Sequence, residues 1–318
     1  MSCIEIDGLT KDYGGGRGIF DVSLVVEKGE VFGFAGINGA GKTTTIRHLM
    51  GFLRPESGRC SINGRDCWRE AAQVKRLVAY VPGEIEFPAD RTGTEFLRHQ
   101  LELAGHGGAE RAHELCRRLQ LDETAPLRSM SKGMKQKTAL VAAFALDPEV
   151  LVMDEPTTGL DPLMRDVFLE LVEEQRAAGH TVFMSSHIFS EMEDVCDRVA
   201  LIREGRIATQ VKMDELRHPK TKTFEVVLAE PDDLVRIGTE LAPYVASRDE
   251  ASLSVTLHVP DAETDTLVAA LSQAHVRSFV EHRRTLDDCL RSAFEESRRP
   301  HASRDHLAGS PHVMFPTH

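Results

Sequence analysis

Gly36-Ile37-Asn38-Gly39-Ala40-Gly41-Lys42-Thr43 follows directly on the apolar run Val31-Phe32-Gly33-Phe34-Ala35, and no other stretch of the chain restricts the fold as much. The pattern G-x-x-x-x-G-K-[ST] between a strand and a helix is a phosphate cradle. Its glycines let the backbone curl, so that a row of N–H groups and the positive end of the following helix point at one anion. Asn38, Gly39, Gly41 and Thr44 complete the cradle, Lys42 adds a point charge and the Thr43 hydroxyl is a candidate Mg²⁺ ligand. A strand-loop-helix of this kind needs an α/β fold, and the expected nucleotide is ATP.

A second buried strand, Val150-Leu151-Val152-Met153, delivers Asp154 and Glu155 at its carboxyl end, where open α/β sheets place their ligands. Two carboxylates there have separate work available: Asp154 in a metal sphere, Glu155 on an attacking water. Thr181 to Ser186 reads as the next strand and puts His187 at the same edge of the sheet, where an imidazole can donate to a phosphate. Ser131 and Gly133 open an apolar helix and offer a hydroxyl and free N–H groups; an ordinary capped helix explains them as well. Asp161 followed by Pro162 has the form of an N-cap and first helical residue. Tyr13 precedes Gly14-Gly15-Gly16, and its ring either stacks on an adenine or packs on the sheet.

Around these motifs, residues 4 to 35, including the strand into the loop, read as an antiparallel β subdomain. Residues 88 to 135 form a helical insert, with Thr94 as N-cap of its first helix and Ala112, Leu115, Cys116 and Leu119 on one core-facing stripe. The hairpin Val199 to Ala208 closes a first domain spanning 1 to 216.

Composition removes several function classes. A formal net charge of −12 disfavours nucleic-acid binding, which depends on cationic side chains neutralising phosphates. No window reaches the roughly 18 apolar residues of a spanning helix. The first residues have neither a basic nor an apolar signal region. The 6 cysteines are scattered without a C-x-x-C pair and read as reduced thiols.

Taken in order, the loop at Gly36 to Thr43, the Ser131-Lys132-Gly133-Met134 signature, Asp154-Glu155-Pro156, Gly159-Leu160-Asp161 and His187 resemble the nucleotide-binding subunit of an ATP-binding cassette (ABC) transporter. The resemblance covers about residues 3 to 215. It implies Lys42 and Thr43 on phosphate and Mg²⁺, Asp154 on the metal, Glu155 on the water, His187 on the γ-phosphate and Tyr13 on the adenine. It also implies a second cassette closing head to tail, so that Ser131 and Gly133 touch the nucleotide of the opposite chain and Asp161 lies across the same interface. A separate transmembrane permease would be the partner, with the chain peripheral on the cytoplasmic face of the membrane. The Ser-Lys-Gly-Met form is similar to that of exporters of drugs and antibiotics. One departure concerns the metal: Pro82-Gly83-Glu84 stands where the family usually has a glutamine, with Glu84 the candidate replacement ligand. An importer subunit and a soluble cassette ATPase acting on ribosomes or DNA are the alternatives; the latter generally carry two cassettes or a long coiled-coil insert.

Beyond residue 220 no cassette motif remains. Leu253, Val255, Leu257 and Val259 alternate with Ser254, Thr256 and His258, a clear strand period. The predicted order β-α-β-β-α-β over 221 to 297 suggests a small ferredoxin-like α+β domain, and Thr285-Leu286-Asp287-Asp288 has the form of a capping box for a last helix. Residues 298 to 318, with His301, His306, His312 and His318, read as a disordered tail.

Overall fold

A computed structural model describes residues 1–105, 108–289 and 291; the expected tail and its histidines lie outside the described residues. The elements in chain order are β1 (Ser2–Asp12), β2 (Gly18–Glu27), β3 (Val31–Ala35), α1 (Lys42–Leu49), β4 (Ser57–Ile62), β5 (Arg65–Asp66), α2 (Ala71–Val74), β6 (Val78–Val81), α3 (Gly93–Ala104), α4 (Ala109–Arg118), α5 (Lys132–Ala145), β7 (Val150–Asp154), α6 (Pro162–Ala177), β8 (Thr181–Ser186), α7 (Phe189–Val195), β9 (Arg198–Arg203) and β10 (Arg206–Lys212). There follow α8 (Met213–Arg217), β11 (Thr221–Leu228), α9 (Pro231–Glu240), β12 (Val245–Asp249), β13 (Ser254–Pro260), α10 (Thr264–Leu271) and β14 (Val276–His282).

The central sheet has the order β10-β9-β3-β8-β7-β6, parallel except for the β9/β10 hairpin. Strands covered on both faces read as near-continuous apolar runs, and β3, β7 and β8 are buried at every residue, their polar residues Asp154, Thr181, Ser185 and Ser186 confined to the strand ends. Alternate side chains serve two cores. Leu151, Met153, Val182 and Met184 join the helices α3 to α7 on one face. Phe32, Phe34, Val150, Val152 and Phe183 meet α1 and the antiparallel sheet β2-β1-β4-β5 on the other. The rings of Phe32 and Phe183 stack there at 5.7 Å.

Two local expectations are corrected. β3 leaves the antiparallel subdomain and pairs in parallel with β8 and β9, because five consecutive buried residues fit only a strand covered on both sides. The first helix of the insert is capped by Thr92, whose side chain accepts from the Glu95 N–H while Glu95 reaches back to the Thr92 amide. That capping box needs Ser or Thr three residues before the Glu, so Thr94 instead donates its hydroxyl to the Glu123 carbonyl.

The remaining strands form a sheet ordered β12-β13-β11-β14, antiparallel at every pairing. Phe224, Val226, Val255 and Leu257 close its core with Leu234 and Ile237 of α9 and Leu267 of α10. The chain then turns back. Thr285 and Asp288 make the reciprocal bonds of a capping box, and Leu286, wholly buried, and Cys289 enter the first core with Met213. All six cysteines are buried and free. Among the described residues, no helix is long and apolar enough to cross a membrane.

Candidate active site

Sheet register brings the motifs together. Ala35, the last residue of β3, lies opposite Ser186 of β8, and Asp154, the last of β7, lies opposite Ser185. The phosphate loop, the acidic pair and His187 therefore emerge side by side from neighbouring strands. Gly36 must be glycine here, since a Cβ would lie 2.5 Å from the Ile202 carbonyl oxygen. Gly41, at φ +115°, starts α1, which carries Lys42.

Lys42 is buried, and its ammonium donates to the Gly36 carbonyl at 2.6 Å and the Ile37 carbonyl at 3.3 Å. Its third neighbour is Glu155 Oε1 at 3.0 Å, an ion-pair distance without a directed hydrogen bond. The other carboxylate oxygen of Glu155 is 2.6 Å from His187 Nδ1. Glu155 sits at φ +50°, a costly conformation for a non-glycine residue. Its amide donates to both the carbonyl and the hydroxyl of Ser185, at 3.2 and 3.1 Å, which holds it there. The Ser185 hydroxyl in turn donates to Asp154 Oδ1 at 2.6 Å. One serine thus holds the Asp154 carboxylate and the Glu155 backbone.

Tyr13, Asn38, Gly39, Gly41, Lys42, Thr43 and Thr44 all line one pocket of about 280 Å³, together with Glu155. Tyr13 is half exposed there, with the Lys11 ammonium of β1 5.6 Å from the centre of its ring. Thr43 is exposed, and its hydroxyl has no protein partner among the described residues. A hydroxyl and a carboxylate, Thr43 and Asp154, form the hard-oxygen donor set that Mg²⁺ takes alongside phosphate and water, so these residues fit the ion. Glu84 is exposed; the residue facing Asp154 is Gly83, whose Cβ would lie 3.2 Å from Asp154 Oδ2.

The signature lies elsewhere. Ser131 caps α5 by accepting from the Met134 amide. Gly133 packs on the loop before α6, where a Cβ would meet the Gly159 carbonyl at 2.7 Å. Asp161 caps α6 by accepting from the Met164 amide. None of the three lines the pocket.

Comparison with known proteins gives this arrangement a family. A solved structure described as the ATP-binding subunit of an ABC transporter superposes with a TM-score of 0.63 at 34% identity, over 68% of this chain and 92% of that one. The ABC transporter family model matches residues 19–158. Nod factor export ATP-binding protein I of Ralstonia nicotianae is 36% identical over 273 residues, 84% of each chain. The chain belongs to the ABC transporter family. Bacitracin transport ATP-binding protein BcrA of Bacillus licheniformis is 34% identical over 73% of this chain and 77% of its own. The cassette binds and hydrolyses ATP, as members of this family do.

Some residues of the cassette's site carry no motif. Ser185 acts only through the register of β7 and β8; its one sequence signal is a serine pair ending an apolar strand just before His187. Gln136, buried on α5, donates to the Pro156 carbonyl at 2.7 Å and ties the signature helix to the turn after Glu155. Glu191, buried on α7, accepts from Thr157 at 2.7 Å, and burial holds its carboxyl above the usual carboxylate range.

Proposed function

We propose that this chain is the ATP-driven motor of an exporter, working on a separate membrane-spanning subunit from the cytoplasmic face. The observation that carries the reading is the Lys42–Glu155–His187 network at the ends of three adjacent strands, with the signature residues outside that pocket. A phosphate bound in the loop would meet the Lys42 ammonium and the amides at the start of α1. Glu155, fixed by Ser185, is placed to accept the proton of an attacking water, and His187 to steady the terminal phosphate. Thr43 and Asp154 would hold Mg²⁺, which when bound neutralises phosphate charge. Tyr13 offers an exposed ring for the adenine.

Ser131, Gly133 and Asp161 face solvent or nearly so and have no nucleotide of their own. A second cassette closing head to tail gives them one, and compensates phosphate charge that one half-site leaves open. Relatives named for Nod factor export and bacitracin transport favour export. We read the chain as a cassette to about residue 216 and a ferredoxin-like accessory domain from 221, supported by its β-α-β-β-α-β order and its antiparallel sheet.

The test is Glu155→Gln. ATP affinity stays within a few-fold while turnover drops by about 10²–10⁴, the usual weight of a general base. Unchanged steady-state ATPase would remove Glu155 from the chemistry. Captured from solubilised membranes with ATP and Mg²⁺, the variant is expected to bring a multi-helix membrane protein with it; recovery of ribosomal or DNA-associated proteins alone would point to a soluble ATPase.

A further inference from the structure

The small sheet has two edges of different character. β12 is short, irregular in its pairing with β13, and ends in the polar run Ser247-Arg248-Asp249. β14 is regular over most of its length, bonded to β11 on one side only, and exposed along nearly all of it. Among the described residues no other backbone pairs with its outer edge. Open strand edges with apolar side chains recruit further strands, and proteins usually blunt them. On β14, Val276, Phe279 and Val280 are 39%, 46% and 45% exposed, although Phe279 already stacks on buried Phe224 at 5.1 Å.

The charges on β14 decide what fits. Val276-Arg277-Ser278-Phe279-Val280-Glu281-His282 read against itself in antiparallel sense about Phe279 sets Arg277 opposite Glu281, twice, and Phe279 opposite Phe279. Arg277, Phe279 and Glu281 share one face of the strand, since side chains alternate. Arg277 is exposed and makes no ion pair or hydrogen bond among the described residues, and Glu281, partly exposed, pairs with Arg283 at 3.3 Å and lines one pocket with Lys222. A two-fold axis through Phe279, normal to the sheet, also keeps α9 and α10 of both copies on the same face. No such self-complementarity exists in β12, where Arg248 would face Ala246 about a central Ser247.

We propose that β14 is a homotypic docking edge: a second copy of this chain adds its own β14 antiparallel to it, centred on Phe279, and the two small sheets become one. This contact needs no nucleotide and so is separate from ATP-driven closure of the cassettes. It would keep two chains together through the open part of a cycle, raising the effective concentration of each cassette for the other.

The test is sedimentation of the full chain without nucleotide over a concentration series. The mass is expected to climb towards two chains. Arg277→Glu alone and Glu281→Arg alone each oppose like charges at both symmetric positions, and both variants are expected to stay at one-chain mass over the same range. An equimolar mixture of the two, and the double variant Arg277→Glu/Glu281→Arg, restore opposite charges and are expected to regain the two-chain species, which also shows that the single variants were folded. A wild-type chain that stays at one-chain mass overturns the proposal. So do single variants that associate like wild type, and so does failure of both the mixture and the double variant to associate.

Discussion

Gly83 shows how little room there is around Asp154. An added Cβ would stand 3.2 Å from Asp154 Oδ2 and 3.4 Å from the Asp154 carbonyl, while Oδ1 is already held by Ser185 at 2.6 Å. The carboxylate cannot retreat without breaking that bond. Groups that orient a ligand typically cost 10–100-fold in metal affinity when disturbed. Gly83→Ala is therefore expected to raise the Mg²⁺ concentration for half-maximal ATPase by about 10-fold, with little change in thermal midpoint because no core contact is lost. A Mg²⁺ titration checks this, and an unchanged requirement would mean that Asp154 is not positioned through its contact with Gly83. The residues of the phosphate loop were legible because their chemistry depends on local spacing. Ser185 and Gly83 were not, because each acts on Asp154 across a strand pairing that sequence order does not display.

At the scale of elements, Asp233 fastens α9 to the turn before β14. Its Oδ2 accepts from the His275 amide at 2.9 Å and lies 3.1 Å from the His275 ring, and Oδ1 accepts from Arg236 at 3.1 Å. The His275 amide and then Arg236 hold the carboxyl below the usual carboxylate range. A depressed folded value means stability that is present above the unfolded pKa, about 3.9, and lost as pH falls through the folded one. The gap in thermal midpoint between wild type and Asp233→Asn is expected to be full at pH 6 and to shrink below about pH 4. A gap that is constant down to about pH 3 would show that the ionised form carries none of it. The β-α-β-β-α-β order of this region was legible from alternation and caps alone. The partner of β3 was not: its five-residue apolar run marks a strand covered on both faces, but a run without alternation does not say which strands lie beside it.

For the whole molecule, the decisive contact is the return of the chain after β14. Every motif of the nucleotide site lies before residue 216, and the small sheet has its own core. Yet Leu286 is wholly buried in the first core beside Met213, its amide donates to Glu193 at 2.7 Å, and Arg217 donates to the Glu193 and Cys196 carbonyls. Truncation after Leu216 removes all of these and leaves part of that core open to water. Burying one leucine is worth about 1.5–3 kcal/mol, so the shortened cassette is expected to unfold several degrees earlier while its ATP affinity stays within a few-fold. Thermal melts and calorimetric titration of the two lengths separate these effects. Loss of ATP binding by a shortened chain that is still folded would mean that the returning segment also shapes the nucleotide site, and an unchanged melt would mean that it merely rests on the cassette. The sequence could not show this, because Thr285 to Asp288 announces a helix start and says nothing about which core the helix joins.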